Sequence, residues 1–320
     1  MSQHQALINY TLHLADDVLI LGHRNSEWTG HGPILEQDIA ISNIALDLIG
    51  QARNFYQYAA RLINQSGQGA GNGHDRMVGQ NGGIGQNGHD WQHGHESQQG
   101  LPDMGWTSTG TEVTEDALAY LRDGWDFKSC LLVEQSNGDW ARSILRQFFF
   151  SAHQFYLYEQ LQYSKDPELA AISEKAYKEV TYHLRWSSEW VIRLGDGTAE
   201  SHSRMEKALE DLWKFTGELF IPTAYEQELA DTGIAPGLSL LQPKWEEKVR
   251  EILAEATLSW PDGAANSGPG TKTQLVAGEP GTGKRSGMLS GGKEGRHTEQ
   301  LGYILAEMQF LQRAYPGCEW

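Results

Sequence analysis

Apolar residues recur at helical spacing along most of the chain, and the clearest run lies between Trp28 and Leu62. Gly30, Gly32 and Pro33 break what precedes them. Pro33 suits the first turn of a new helix, where its missing N–H has no partner to lose. Glu36 and Asp38 place negative charge at that end, which the helix dipole favours. Leu35, Ile39, Ser42, Leu46 and Ile49 form one row; Ile41, Ala45, Leu48, Ala52 and Phe55 form a second. Two rows cover most of the circumference, so the pattern predicts a helix over 33–62 that is buried rather than superficial. A polar stripe remains: Glu36, Asn43, Asp47, Gln51 and Asn54. It is either a solvent-facing seam or buried hydrogen-bonded row, or else one wall of a metal site. Carboxylate-bridged di-iron centres sit between bundle helices on such stripes.

The same periodicity predicts a helix over 5–27, with Leu14, Val18 and Leu21 on its apolar side and Asp16, Asp17, His23 and Arg24 flanking them. A short helix is expected near 114–122, and long ones over 139–164 and 167–194, the last opened by the cap Asp166-Pro167. Further helices are expected near 202–220, 242–258 and 297–313. The short turn at 29–33 makes the first two helices antiparallel neighbours. Four long helices as two hairpins, joined by one long crossover, outline an all-α, ferritin-like helical bundle with additional C-terminal helices. We expect a single domain over 1–320. Residues 65–110 and 261–292 are rich in Gly, Asn, Gln, Ser and Pro, and lack the aliphatic residues that would offset ordering entropy. Both are expected to be flexible insertions, dispensable for the fold.

The net charge of −17 argues against nucleic acid and against an anionic membrane surface as partners. There is no apolar run long enough to span a bilayer, and residues 1–17 have neither a basic nor an apolar signal region. The two cysteines, Cys130 and Cys318, have no metal or disulfide spacing, so a cytoplasmic location is expected. Two features invite a ligand and fail. His74, His89, His93 and His95 lie in the first insertion without a framework to fix geometry. The run from Gly278 to Arg285 resembles a phosphate-binding loop, but Arg285 replaces the magnesium-binding hydroxyl and no strand-to-helix context surrounds it.

A bundle di-iron site needs a carboxylate from each of two helices and a Glu-x-x-His pair from each of the other two. On the second helix, Leu48 and Gln51 stand where Glu and His are required. On the fourth, Glu179 and His183 are four apart, and Val180 takes the three-residue position. Glu179 and His183 still share a face, so one incomplete half-site is conceivable, with Asp47 opposite. His153 and Glu159 have spacings that commit to nothing. The expectation is a degenerate site at Asp47, Leu48, Gln51, Glu179 and His183 that holds no metal.

The segments LADDVLILGHRNSEWTGHGPILEQDIAISNIALDLIGQARNFYQYAA, LLVEQSNGDWA, DPELAAISEKAYKEVTYHLRWSSEWVIRLGDGT, LWKFTGELF and GRHTEQLGYILAEMQFLQRAYPG resemble the C-subunit family of bacterial phenylacetyl-CoA epoxidase. The resemblance covers nearly all of the chain outside the two insertions. It implies a structural subunit with no catalytic or cofactor-binding residues of its own. Its partner would be a related catalytic A subunit that holds the di-iron centre and the coenzyme A thioester, accompanied by a small B subunit and a reductase. The rival expectation is an autonomous di-iron oxidase or iron-binding protein using Asp47, Glu179 and His183. Trp186, Trp190, Tyr156 and Tyr163 are spaced so that a single bundle core leaves some uncovered, which predicts an interface above ~2,000 Å².

Overall fold

The computed structural model describes residues 1–71, 112–261, 288–316 and 318, and among them there are helices and no strands. The α-helices are α1 (Gln3–Ser26), α2 (Leu35–Gly71), α3 (Glu115–Tyr120), α4 (Leu131–Glu134), α5 (Trp140–Leu161) and α6 (Pro167–Gly195). They continue as α7 (Ala199–Trp213), α8 (Ala224–Thr232), α9 (Leu238–Glu255), α10 (Glu299–Met308) and α11 (Phe310–Ala314). Helix α1 packs chiefly on α2 and α5 chiefly on α6, giving two hairpins that meet along α2 and α6. Helices α7 and α9 lie against α5 and α6, and α8 lies against α1. This is the all-α, ferritin-like bundle that the four long helices predict.

Local chemistry sets the boundaries. Ser2 caps α1, Asp139 caps α5, and Asp166 caps α6 by accepting the N–H groups of Glu168 and Leu169, with Pro167 in the first turn. Helix α8 is absent from the periodic reading because nine residues with two buried apolar side chains, Tyr225 and Leu229, carry little period. Its visible mark is the capping box of Thr223 with Glu226. The helix expected over 202–220 is two elements, α7 and a 3-10 turn over Gly217–Phe220. Helix α2 outruns its predicted end at Leu62 by nine residues, into the stretch read as the first insertion. The rest of that insertion, its histidines and the Gly278–Arg285 loop lie outside the described residues.

Two expectations are corrected. The row Ile41, Ala45, Leu48, Ala52 and Phe55 is buried, but Leu35, Ile39 and Leu46 are 72, 51 and 69% exposed. The α1–α2 hairpin closes through the buried row, and no described helix covers those three leucine and isoleucine side chains. Helix α2 is therefore half a surface helix among the described residues. Conversely, Asp16, Asp17 and Arg24, expected at the flanks of α1, are buried with its apolar residues.

The second insertion also ends earlier than expected. Residues 288–292 are packed: the Leu289 N–H donates to Lys214 O at 2.8 Å, and Gly291 and Gly292 lie against the bundle. The glycines there serve close approach rather than freedom. A Cβ on Gly292 would collide with Ser129 O, and Gly291 and Gly295 hold positive φ of 136° and 83°. Of the four aromatics expected to leave some uncovered, Trp186 is buried edge-on against Trp140 and donates to Gln37 Oε1 at 3.0 Å, while Tyr163 is exposed.

Candidate functional site

Helices α2 and α6 run antiparallel, so residues four apart on one meet residues four apart on the other in reverse order. The register is fixed at the ends, where Tyr58 donates to Asp166 Oδ2 at 2.6 Å and Trp186 donates to Gln37. Between these ties the sequence-predicted residues come together as two cross-helix pairs. Gln51 Nε2 donates to Glu179 Oε2 at 2.9 Å. His183 Nε2 faces Asp47 Oδ2 at 3.0 Å. His183 is fully buried, whereas the Asp47 side chain is 39% exposed, so this pair opens toward solvent beside Leu46.

The remaining positions are apolar. Leu48 and Val180 are fully buried and offer only methyl groups where a ligand would be needed. Phe55 and Tyr158 stack at 6.3 Å in the bundle interior. Burial raises the Tyr158 hydroxyl's pKa, and the charges of Asp17 and Glu179 raise it further against a hydrogen bond from Gln154. Gln51 Oε1 and His183 Nδ1 are buried without partners. The donor set is thus two carboxylates, one imidazole and one amide, each engaged one-to-one across the helix interface. Among the described residues no three His, Cys, Asp or Glu side chains are grouped so that they could hold a metal ion. His153 stands apart beside Phe220 with its pKa pushed down to about 3 by burial, and Glu159 pairs with Lys244 at 2.8 Å.

A larger polar constellation went unread in the sequence. Asp16 on α1 is fully buried and paired with Arg122; it also accepts from Tyr56 at 2.5 Å and from the Lys128 N–H at 2.7 Å. Asp17 accepts the Cys130 N–H at 2.7 Å, and burial raises its pKa above the usual carboxylate range. Glu226 on α8 takes Lys293 Nζ at 3.0 and 3.1 Å. Burial works against the Glu226 carboxylate, but Lys293 and His13 outweigh it and hold its pKa low. The visible signal was Asp16-Asp17 inside LADDVLIL, an acidic pair within an apolar run, which at full burial requires cationic and N–H partners.

An all-helical bundle of two hairpins with carboxylate, amide and imidazole groups on the facing helices defines the ferritin-like class. Within that class the chain belongs to the phenylacetic acid catabolic protein family, whose pattern it matches over residues 1–81 and 106–320. It is 40% identical over 314 residues, 98% of this chain and 99% of the relative, to the Escherichia coli (strain K12) protein named as the C subunit of 1,2-phenylacetyl-CoA epoxidase. No described helix is long and apolar enough to cross a membrane.

Proposed function

We propose that this chain is the structural, non-catalytic subunit of a multicomponent di-iron oxygenase that epoxidises the ring of phenylacetyl-CoA. It pairs with a catalytic A subunit that holds the iron, alongside a small B subunit and a reductase, in the cytoplasm. The observation that carries this reading is the near-full-length likeness to a protein named as the C subunit of that epoxidase. The α2–α6 seam supports it. A di-iron centre needs bridging carboxylates and two Glu-x-x-His pairs. Leu48, Gln51 and Val180 occupy three of those positions, and Asp47, Glu179 and His183 are turned to single partners. These residues do not fit the metal pair.

The exposed apolar row on α2 supports the pairing. Leu35, Ile39 and Leu46, with Ile34 at 52% exposure, present a face that the described residues leave open. Large apolar residues grouped on one helix face are what lasting interfaces cover. The test is turnover of the assembled complex. A chain carrying Asp47→Ala, Glu179→Ala and His183→Ala together, mixed with the A and B subunits and reductase, is expected to support wild-type oxidation of phenylacetyl-CoA. Abolished turnover in a complex that still assembles would overturn the reading in favour of the di-iron rival.

A further inference from the structure

Residues 291–298 form a strap that enters α10 and is held on the bundle by three buried carboxylates from three different elements. Glu218 accepts the Gly291 N–H at 2.6 Å, and its other oxygen accepts the Leu131 N–H at 2.7 Å. Glu226 takes Lys293, whose backbone carbonyl accepts from Tyr225 at 3.1 Å. Glu134 on α4 accepts the N–H of Thr298, the cap of α10, at 2.8 Å. Its second oxygen faces His297 Nδ1 at 3.0 Å, and His297 Nε2 faces the Phe127 carbonyl at 3.0 Å.

That last arrangement counts protons. The Phe127 carbonyl only accepts, so Nε2 must carry a hydrogen. Glu134 then meets Nδ1, and the contact is a hydrogen bond only if a proton lies between them. With His297 6% exposed and Glu134 fully buried, no solvent stands in when that proton leaves. A lone pair would then oppose a carboxylate oxygen at contact distance. The charged neighbours favour retention on balance. Asp16 on α1 adds negative charge. Arg24 on α1 donates to the carbonyls of Glu134 and Gln300, Arg122 lies over the Phe127 ring, and Lys128 follows Phe127 in the chain.

We propose that the His297–Glu134 contact is a proton-held latch that fixes the C-terminal arm, residues 297–314, to the bundle and loosens it as the proton is lost. Burial lowers the basicity of His297, but Glu134, the Phe127 carbonyl and Asp16 together raise its pKa above the ordinary 6.5. A folded-state pKa above the unfolded one means the latch is complete below about 6.5 and weakens as pH rises through the folded value. Release would uncover Leu301, Ile304 and Leu305 of α10 and displace Tyr303 and Phe310, which the arm presents at the surface.

Hydrogen exchange of the full chain at a series of pH values from about 6 to about 9, corrected for intrinsic rates, reads this directly. Amides of 299–308 are expected to lose up to about tenfold protection per pH unit between about 6.5 and the folded value and to level off above it, while those of α5 hold steady. His297→Gln and Glu134→Gln should each remove the slope, with arm protection low at every pH. If either variant loses protection in α5 as well, the wild-type series decides alone. Equal protection of the arm relative to α5 across the range, or an unchanged slope in a folded His297→Gln chain, overturns the latch.

Discussion

The α2–α6 seam and the buried cluster beneath α1 are both made of charged and amide side chains inside a helical bundle, yet they are built differently. In the seam each donor has one partner, Asp47 is partly in water, and two buried polar atoms have no partner at all. Under α1, Asp16 alone receives Arg122, Tyr56 and a backbone N–H, and Glu226 is bound by Lys293 and by its own capping box. Fully satisfied networks rigidify a core, whereas sparse pairs contribute little. The difference is one of connection: the seam's polar groups lie in isolated pairs, whereas those under α1 tie α1 to α2, to α8 and to the segment 122–130.

The comparison is most easily broken at Arg122. Arg122→Ala leaves Asp16 charged and buried, and is expected to cost about 3–5 kcal/mol of unfolding free energy in denaturant titration. A loss below about 1 kcal/mol would mean that the cluster under α1 is ornamental. Lys293→Met strands Glu226, with an expected loss of about 2 kcal/mol, because Thr223 and His13 remain near it. It should also alter the acid limb. Glu226 has a depressed folded pKa, so its contribution is present above about 4.5 and is lost as pH falls through the lower folded value. Without Lys293 that loss should begin at higher pH.

In the seam the expected effects shrink. Replacing Gln51 and Glu179 together by Leu exchanges a polar pair for apolar volume, and should change stability by less than about 1 kcal/mol. On the open face of α2, Leu46→Asp should leave the isolated chain within about 0.5 kcal/mol of wild type. The same change should abolish co-elution with the A subunit in size exclusion. Unimpaired co-elution would place the interface elsewhere, and a large stability loss would mean that Leu46 is covered within the chain.

The four long helices were legible from their apolar periods, sharpened by the break and Pro33 before the second and by the cap Asp166-Pro167 before the fourth. The composition of the candidate seam was legible too, since Leu48 and Val180 cannot ligate a metal whatever their geometry. What the sequence hid was pairing. Gln51 with Glu179 and Asp47 with His183 follow from the antiparallel register of α2 and α6, which no local pattern encodes. Periodicity also could not say which of two apolar rows on α2 the described residues cover, because an uncovered apolar row reads like a core row. The glycines at 291 and 292 misled for a related reason: the residue that loosens a linker is also the residue that lets a strap lie flat on backbone.

The central claim is that the α2–α6 seam is not a metal centre, and ferrous loading tests it most directly. The purified full-length chain, loaded anaerobically with ferrous iron, desalted and measured by elemental analysis, is expected to retain far less than one iron per chain. Retention of about two irons per chain, abolished by Glu179→Ala with His183→Ala, would contradict the account and restore the di-iron rival.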